Sequence, residues 1–527
     1  MRNLELPGRS PVHSTQGMAA TSHTLSTGVA LDILKDGGNA LDAAIAACAV
    51  QCVVEPGSTG IGGDNFCLYS KQGTDDIIGF NGSGRAPAAA SLDKLRSLGV
   101  EKLTRTSPHS VIVPGAVDAW CRLNADHGSM PLAKLLEPAI ELARKGYPVS
   151  SRVHVDWTMN AGILAANENA ARIFLPVPEV GALHRQPELA DALELIGREG
   201  RRAFYEGDMA VDMVSTLKEL GGVHELSDFK SAAGEYVTPI STTFRGKTVH
   251  ECPPNGQGVT ALLLLNMFEN GPTDVPLLSK ERIHFELEAC RRAYANRDIY
   301  LADPASSEVP VDEITDKAFS KSLCADIDPE KAVPPSDIIH LPKHRDTVYI
   351  SVVDKDRNCC SFINTLFWGW GSGITTPKFG IVMTNRGEGF VMEEGHPNCI
   401  APGKRPLHTI IPGMVTDNGR VELCFGVMGG EYQAMGHAQF LSRYYDFGLD
   451  IQQAQDEARF MVDPFTQKAE IESPVDRETF DLLKAKGHDI ARSKRPIGGS
   501  QVIAINWQTG VLTGGSDPRK DGCALGY

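Results

Sequence analysis

Two different apolar patterns occupy residues 25–55. Over residues 26–35, Val29, Ala30, Ile33 and Leu34 recur at helical spacing behind a Ser26 cap, and Gly37-Gly38-Asn39 ends the element. Residues 40–54 are almost all Ala, Ile, Val, Leu and Cys, which predicts a helix apolar on every side and therefore buried. A glycine-dense turn then feeds predicted strands at 65–70 and 76–80. Helical patterns broken by Pro and Gly fill 131–225, and 281–301 reads as a long charged helix. Residues 303–345 are rich in Pro, Ser, Asp and Lys and weakly periodic, which predicts an exposed, cleavable linker.

The period then changes to two. Residues 347–353 (TVYISVV) alternate as a strand, DKDRN makes a turn, and 359–367 (CCSFINTLF) form its neighbour. Further strands are predicted at 380–384, 410–415 and 421–427, helices at 431–445 and from 478, and a last hairpin over 501–512. Strands in two groups with helices outside them predict a layered α/β sandwich with antiparallel sheets. No repeat is visible, and no linker divides the chain into independent modules.

Composition narrows the function classes. A chain of 527 residues would ordinarily make roughly two to four domains. It is 42% hydrophobic and 22% charged, which excludes disorder, collagen and coiled coil. A formal charge of -15 argues against nucleic acid and anionic membranes, yet local arginines can still hold a small anion. The cysteines sit singly in apolar stretches, and neighbours such as Cys359-Cys360 point to opposite faces of a strand, so no bridge is expected. No metal-binding spacing occurs, the first residues lack an apolar signal core, and no apolar run reaches membrane-spanning length. A cytoplasmic address and no cofactor or metal are expected.

Candidate chemistry centres on Thr347. The glycine run 57–63 stands between a helix and a strand, the reverse of a phosphate-binding loop, and reads as close backbone packing. Thr347 opens a clean strand directly after the breaker-rich segment. Cleavage between Asp346 and Thr347 would give it a free α-amine, ordinarily titrating at about 7.7–8.0, beside its own hydroxyl. On patterning alone, a plain strand-opening threonine fits as well.

Blocks along almost the whole chain resemble the γ-glutamyltranspeptidase family of N-terminal-nucleophile hydrolases. They are GGNALDAAIAACAVQCVVEPGSTGIGG, PGAVDAW, PPNGQG, DTVYISVVDKDRNCCSFINTLF, GSG, GIVMTNRG, PGKRPLHTIIP, VMGG and SDPRKDGCALGY. Among them, DTVYISVVD, NGSGRAP and TNRGEGF look most like the branch that contains oxamate amidohydrolase of purine and allantoin catabolism. The resemblance implies an αββα sandwich and a zymogen that cleaves itself between Asp346 and Thr347. The products would be a large chain, 1–346, and a small chain, 347–527, paired in one intertwined unit, with two such units forming a dimer. It further implies Thr347 as nucleophile, Thr365 as its hydrogen-bonding neighbour, and the amides of Gly429 and Gly430 as the oxyanion hole.

Departures from the family pattern bear on the substrate. Ser83 stands where γ-glutamyl enzymes carry the carboxylate-binding arginine, with Arg85 two residues closer to Pro87. Gly389 replaces the amine-holding aspartate, Phe367 an asparagine, and His408-Thr409 a serine pair. A glutamyl ammonium would lose its anionic partner at a cost of several kcal/mol. The expected reaction is therefore hydrolysis of a small acid amide, oxamate to oxalate and ammonia, with Arg85, Arg386, His408, Thr409 and Phe367 lining the substrate. The alternatives are a γ-glutamyl hydrolase or transferase acting on glutathione-like donors, and a non-catalytic scaffold.

Some of these residues also have structural readings. Arg85 fits a loop brace, His408 a structural hydrogen bond, and Arg405 a structural role; Asn255 fits a turn or a support for the site. Asp354 and Asp356 read as solvated turn residues, and Asp517, Arg519 and Asp521 as a tie between the two chains.

Overall fold

The computed structural model describes residue 5, residues 8–333 and residues 347–527. Its centre is a pair of seven-stranded antiparallel sheets. The first runs Val12–Ser14, Leu512–Ser516, Gly499–Ile505, Arg420–Met428, Pro412–Asp417, Lys247–Glu251, Ile240–Phe244. The second runs Cys523–Gly526, Met18–Thr21, Val348–Val353, Cys359–Thr365, Asp64–Ser70, Ile77–Gly82, Glu235–Val237. Segments from before and after the undescribed stretch 334–346 neighbour one another in both sheets, so neither sheet belongs to one part of the chain.

Strand alternation separates two cores. In Val348–Val353, Tyr349 and Val353 point between the sheets with Met18, Phe66, Ile363, Met414 and Ile503. Ile350 and Val352 point the other way, onto helix Ala40–Val54, whose residues are all buried. Helices Gly258–Phe268 and Tyr432–Tyr445 cover the outer face of the first sheet in the same manner. The result is a four-layer αββα sandwich. Gly426 is required here, since a Cβ would come 2.2 Å from the Tyr349 ring, whose hydroxyl reaches Ser361 between the sheets at 2.7 Å.

Several local expectations are corrected. The first helix is Thr24–Lys35, capped by His23 through Leu25 N; Ser26 instead donates to Ala47 O across the helix pair at 2.9 Å. Asn39 does more than end it: its side chain forms a capping box for Ala40–Val54. Residues 380–384 contribute only an isolated bridge, Val382 to Thr375, because the glycine-rich loop before them folds back on itself. The segment predicted as an exposed linker contains helices Val311–Ile314 and Lys317–Ala325, and buried Asp303 accepts from Arg405 N at 2.9 Å. Asp354 is buried, not solvated: it accepts from Ala40 N at 2.9 Å at the head of the apolar helix, while Asp356 remains exposed. The cysteines are unbridged. Among the described residues, no helix is long and apolar enough to cross a membrane.

Candidate active site

Antiparallel pairing of Val348 with Asn364 brings the residues just beyond them, Thr347 and Thr365, to the same end of the second sheet. Their hydroxyls lie 3.3 Å apart, both buried. Thr365 Oγ1 also accepts from Phe367 N at 2.8 Å, which fixes its orientation. Gln433, in the first turn of helix Tyr432–Tyr445, donates from Nε2 to Thr347 Oγ1 at 3.4 Å while its Oε1 holds Ile411 N. Nothing in the sequence pattern singled out Gln433; its position four residues after Gly429 was the available signal. Gly63 explains part of the glycine run, since a Cβ there would sit 2.0 Å from Thr365 O.

Strand Arg420–Met428 ends beside these hydroxyls in Gly429 (φ 123°) and Gly430 (φ 58°), a backbone that other residues rarely adopt. Neither amide donates to an acceptor among the described residues, leaving both N–H groups available for a developing oxyanion. The loop is held from behind. Gln257 donates to Gly430 O at 3.2 Å and Thr409 O at 2.8 Å, and takes a bond from Arg297 at 3.1 Å. Arg297 in turn pairs with Glu431. The PPNGQG block thus serves the site through Gln257, while Asn255 ties Ser83 to Pro406 O at 3.1 and 2.7 Å.

Arg386 is the unusual charge of the site. It is wholly buried, its guanidinium lies 3.6 Å over the Phe367 ring, and Nη1 donates to Thr409 Oγ1 at 3.1 Å. Nε and Nη2 have no hydrogen-bond partner among the described residues. Burial pulls its pKa down to about 9, although Asp64 and Glu431 both act to raise it. Phe367 holds this stack from a left-handed backbone (φ 83°), a strained conformation for an aromatic residue that costs on the order of 1–3 kcal/mol. Glu388, two residues after Arg386, accepts from Asn385 at 2.8 Å, and burial pushes it up to about 7.

The remaining predicted residues divide. Thr409 joins the group through Arg386. His408 lies next to it with both ring nitrogens engaged: Nε2 meets Asp64 Oδ2 at 3.1 Å, and Nδ1 faces Ile410 N at 3.3 Å. Burial, with Arg386 nearby, lowers His408 to about 4, so it is a neutral imidazole at pH 7. Arg85 is not brought into this group: its half-exposed side chain reaches Asp303 at 3.5 Å and Gly403 O at 3.2 Å. Arg405 is turned away to Ser83 O and Glu235. Asp346 lies outside the described residues. Asp64, unremarked in the sequence, organises the floor by accepting from Gly84 N at 2.8 Å, Gly115 N at 3.3 Å and His408.

Thr347 and Gly429 open onto a cavity whose wall includes Met428, Tyr432 and Gly498, with Arg152, Arg495 and Lys520 at its charged side. Of the terminal motif, Asp521 accepts from Arg152 N at 2.7 Å and Arg519 O accepts from Arg152 Nη1 at 2.9 Å, both across the two parts of the chain, while the side chains of Asp517 and Arg519 pair with Arg459 and Glu472, within residues 347–527. Among the described residues, no group of three or more His, Cys, Asp or Glu side chains is placed to hold a metal ion.

Thr347 of the hydroxyl pair and Gly429 thus line one cavity, and comparison with known proteins shows the family to which the chain belongs. The family model described as Gamma-glutamyltranspeptidase matches residues 26–527. The chain is 37% identical to the glutathione hydrolase-like YwrD proenzyme of Bacillus subtilis, covering 98% of this chain and 99% of that one. It is 29% identical to the oxamate amidohydrolase proenzyme of Klebsiella pneumoniae, over 98% and 99%. The crystal structure of cephalosporin acylase from Bacillus halodurans superposes with a TM-score of 0.93 at 34% identity, covering 100% and 99%. The narrower resemblance to an oxamate branch is not singled out by these relatives. The chain is a member of the γ-glutamyltranspeptidase family, an autoprocessed N-terminal-nucleophile amidohydrolase.

Proposed function

We propose that the chain, once cleaved between Asp346 and Thr347, hydrolyses amides whose acyl group carries its own carboxylate, with γ-glutamyl amides of the glutathione kind as the leading donors. The observation that carries this reading is Arg386, wholly buried and stacked on Phe367, whose N–H donates to Thr365 Oγ1, with Nε and Nη2 lacking a hydrogen-bond partner among the described residues. An unpaired buried guanidinium is costly, and a carboxylate is the planar anion that satisfies it through two parallel hydrogen bonds. The greater identity to the glutathione hydrolase-like relative than to the oxamate enzyme supports the choice of donor.

In the proposed cycle, the freed Thr347 α-amine takes the hydroxyl proton as Oγ1 attacks the amide carbonyl. The oxyanion is held by the N–H groups of Gly429 and Gly430. The C–N bond then breaks, the leaving amine takes the proton back from the Thr347 ammonium, and an acyl ester remains on Thr347. Water attacks that ester with the α-amine again as base, releasing the acid. Thr365 and Gln433 orient the nucleophile's lone pairs throughout.

Oxamate hydrolysis is the second reading, favoured by Gly389 and Phe367: the first leaves no carboxylate for a donor ammonium, and the second closes the pocket over Arg386. A product panel separates them. Purified processed protein is given γ-glutamyl-4-nitroanilide, its glutaryl analogue without the ammonium, and oxamate, with Thr347→Ala as control. Nitroaniline release from the γ-glutamyl compound supports the leading reading, and ammonia from oxamate alone transfers it to the second. A protein that remains one 56.8 kDa band and turns over none of the three would sink both.

A further inference from the structure

The amides proposed to hold the oxyanion belong to two consecutive glycines, and glycine restricts its own φ and ψ less than any other residue. At Gly429 (φ 123°) and Gly430 (φ 58°) the direction of the N–H groups is therefore decided by what grips the chain on either side. Before them the grip is strand Arg420–Met428, which stays paired with Gly499–Ile505 as far as Met428 and Gly499. After them no strand continues, and the chain turns at once into helix Tyr432–Tyr445.

The grip on that side comes from the part of the chain before Thr347. Gly430 O accepts from Gln257 Nε2 at 3.2 Å, and Glu431 O accepts from the Tyr294 hydroxyl. Arg297, buried on helix Lys280–Tyr300, stands behind both. Its Nη1 donates to Gln257 Oε1 at 3.1 Å and to Glu431 Oε2, while its other edge meets Asp298, Nε donating to Oδ1 at 2.8 Å. A guanidinium only donates, so it commits Gln257 Oε1 and leaves Nε2 to reach Gly430 O and, at 2.8 Å, Thr409 O. The flipped amide would set Nε2 against the cation and its oxygen against two carbonyls. For stability alone, apolar packing would hold this turn as well as a buried guanidinium flanked by two carboxylates.

We propose that Arg297 is a positioning residue for the reaction: through Gln257 and Glu431 it fixes the direction of the Gly429 and Gly430 amides, and so serves the transition state and not the bound substrate. The inference rests on the proposed role of those two amides as the oxyanion hole. Arg297 touches no reacting atom. It makes the hole of residues 347–527 depend on a side chain from residues 1–346.

The test separates transition-state from ground-state binding in the processed protein. Arg297→Lys keeps the charge that Glu431 and Asp298 require but lacks the second edge of the fork. With the donor that the product panel identifies, kcat should fall about 10- to 100-fold while KM stays within about twofold. Glu431→Gln, which keeps the side-chain shape, should shift kcat in the same direction and serves if Arg297→Lys is not processed. Butylboronic acid reads the amides without an acyl carboxylate. Thr347 Oγ1 bonds to boron, the hydroxyl proton moves to the α-amine, and a hydroxyl of the anionic boronate takes the oxyanion's place. Its affinity, by titration calorimetry, should fall about 10-fold in either variant. A KM that rises as much as kcat falls, or unchanged kcat and boronate affinity, overturns the proposal. If no donor is turned over, the acyl reading fails by itself and the boronate titration alone decides. A parent protein that binds butylboronic acid no better than butyramide overturns the oxyanion role of the two glycines, and this proposal with it.

Discussion

At Arg386 the chain places a positive charge where folding alone gains little from it. The guanidinium is buried with one partner, Thr409 Oγ1, and an aromatic face. Replacing such a charge by an apolar side chain of similar length removes a desolvation penalty that the single hydrogen bond offsets only in part. Arg386→Met should therefore raise stability by roughly 1–3 kcal/mol in urea unfolding while abolishing turnover of carboxylate-bearing donors. A variant that is less stable than the parent would show that the guanidinium is satisfied within the fold. Thr347, Thr365, Gly429 and Gly430 were legible because each sits in a block that resembles the family. Gln433 was not: a glutamine on a helix has no signature until the fold sets it against Thr347.

Among the elements, helix Ala40–Val54 shows how far a cap can come from. Its periodicity and length were readable, because fifteen consecutive residues that are nearly all apolar leave no other place than a core. Its N-terminus, however, is completed by Asp354, 314 residues later in the chain. The DKDRN turn reads locally as solvated, and only the packing of that turn on the helix buries it. Asp354 also accepts from Asn358 N and Asp356 N at 2.9 Å each, so its loss strands several donors. Asp354→Ala should destabilise the protein by about 2–4 kcal/mol, measured by urea unfolding, with Asp354→Asn intermediate. A loss below about 0.5 kcal/mol would return this carboxylate to a surface role.

Among the described residues, burial raises the carboxyls of Glu55 and Glu388 from an ordinary 4.5 to about 7. For each, the folded chain binds the proton more tightly than the unfolded one. Their contribution to stability is therefore full below about pH 4.5 and is lost as pH rises through about 7. Glu55→Gln should flatten the decline of Tm between pH 5 and pH 8 and raise Tm at the upper end. An unchanged profile would mean that Glu55 titrates normally. This carboxyl closes helix Ala40–Val54 against Ser22, so the effect reports on the contact between that helix and the loop after Met18–Thr21.

By itself the sequence determined the layered class, the buried helix, the strands and the family, because hydrophobic period and ordered motif blocks are properties of neighbours along the chain. It also limited the partners: a charge of -15 is a sum and needs no coordinates. Tertiary structure decided what the period cannot carry. It turned part of the apparent linker into the helices Val311–Ile314 and Lys317–Ala325 on the first sheet's side, and made His408 a neutral imidazole bound to Asp64. It sent Arg85 to Asp303, and left Arg386 buried with Nε and Nη2 unpartnered among the described residues. Burial and pairing depend on residues hundreds of positions apart, and those meet only when the two sheets close on each other.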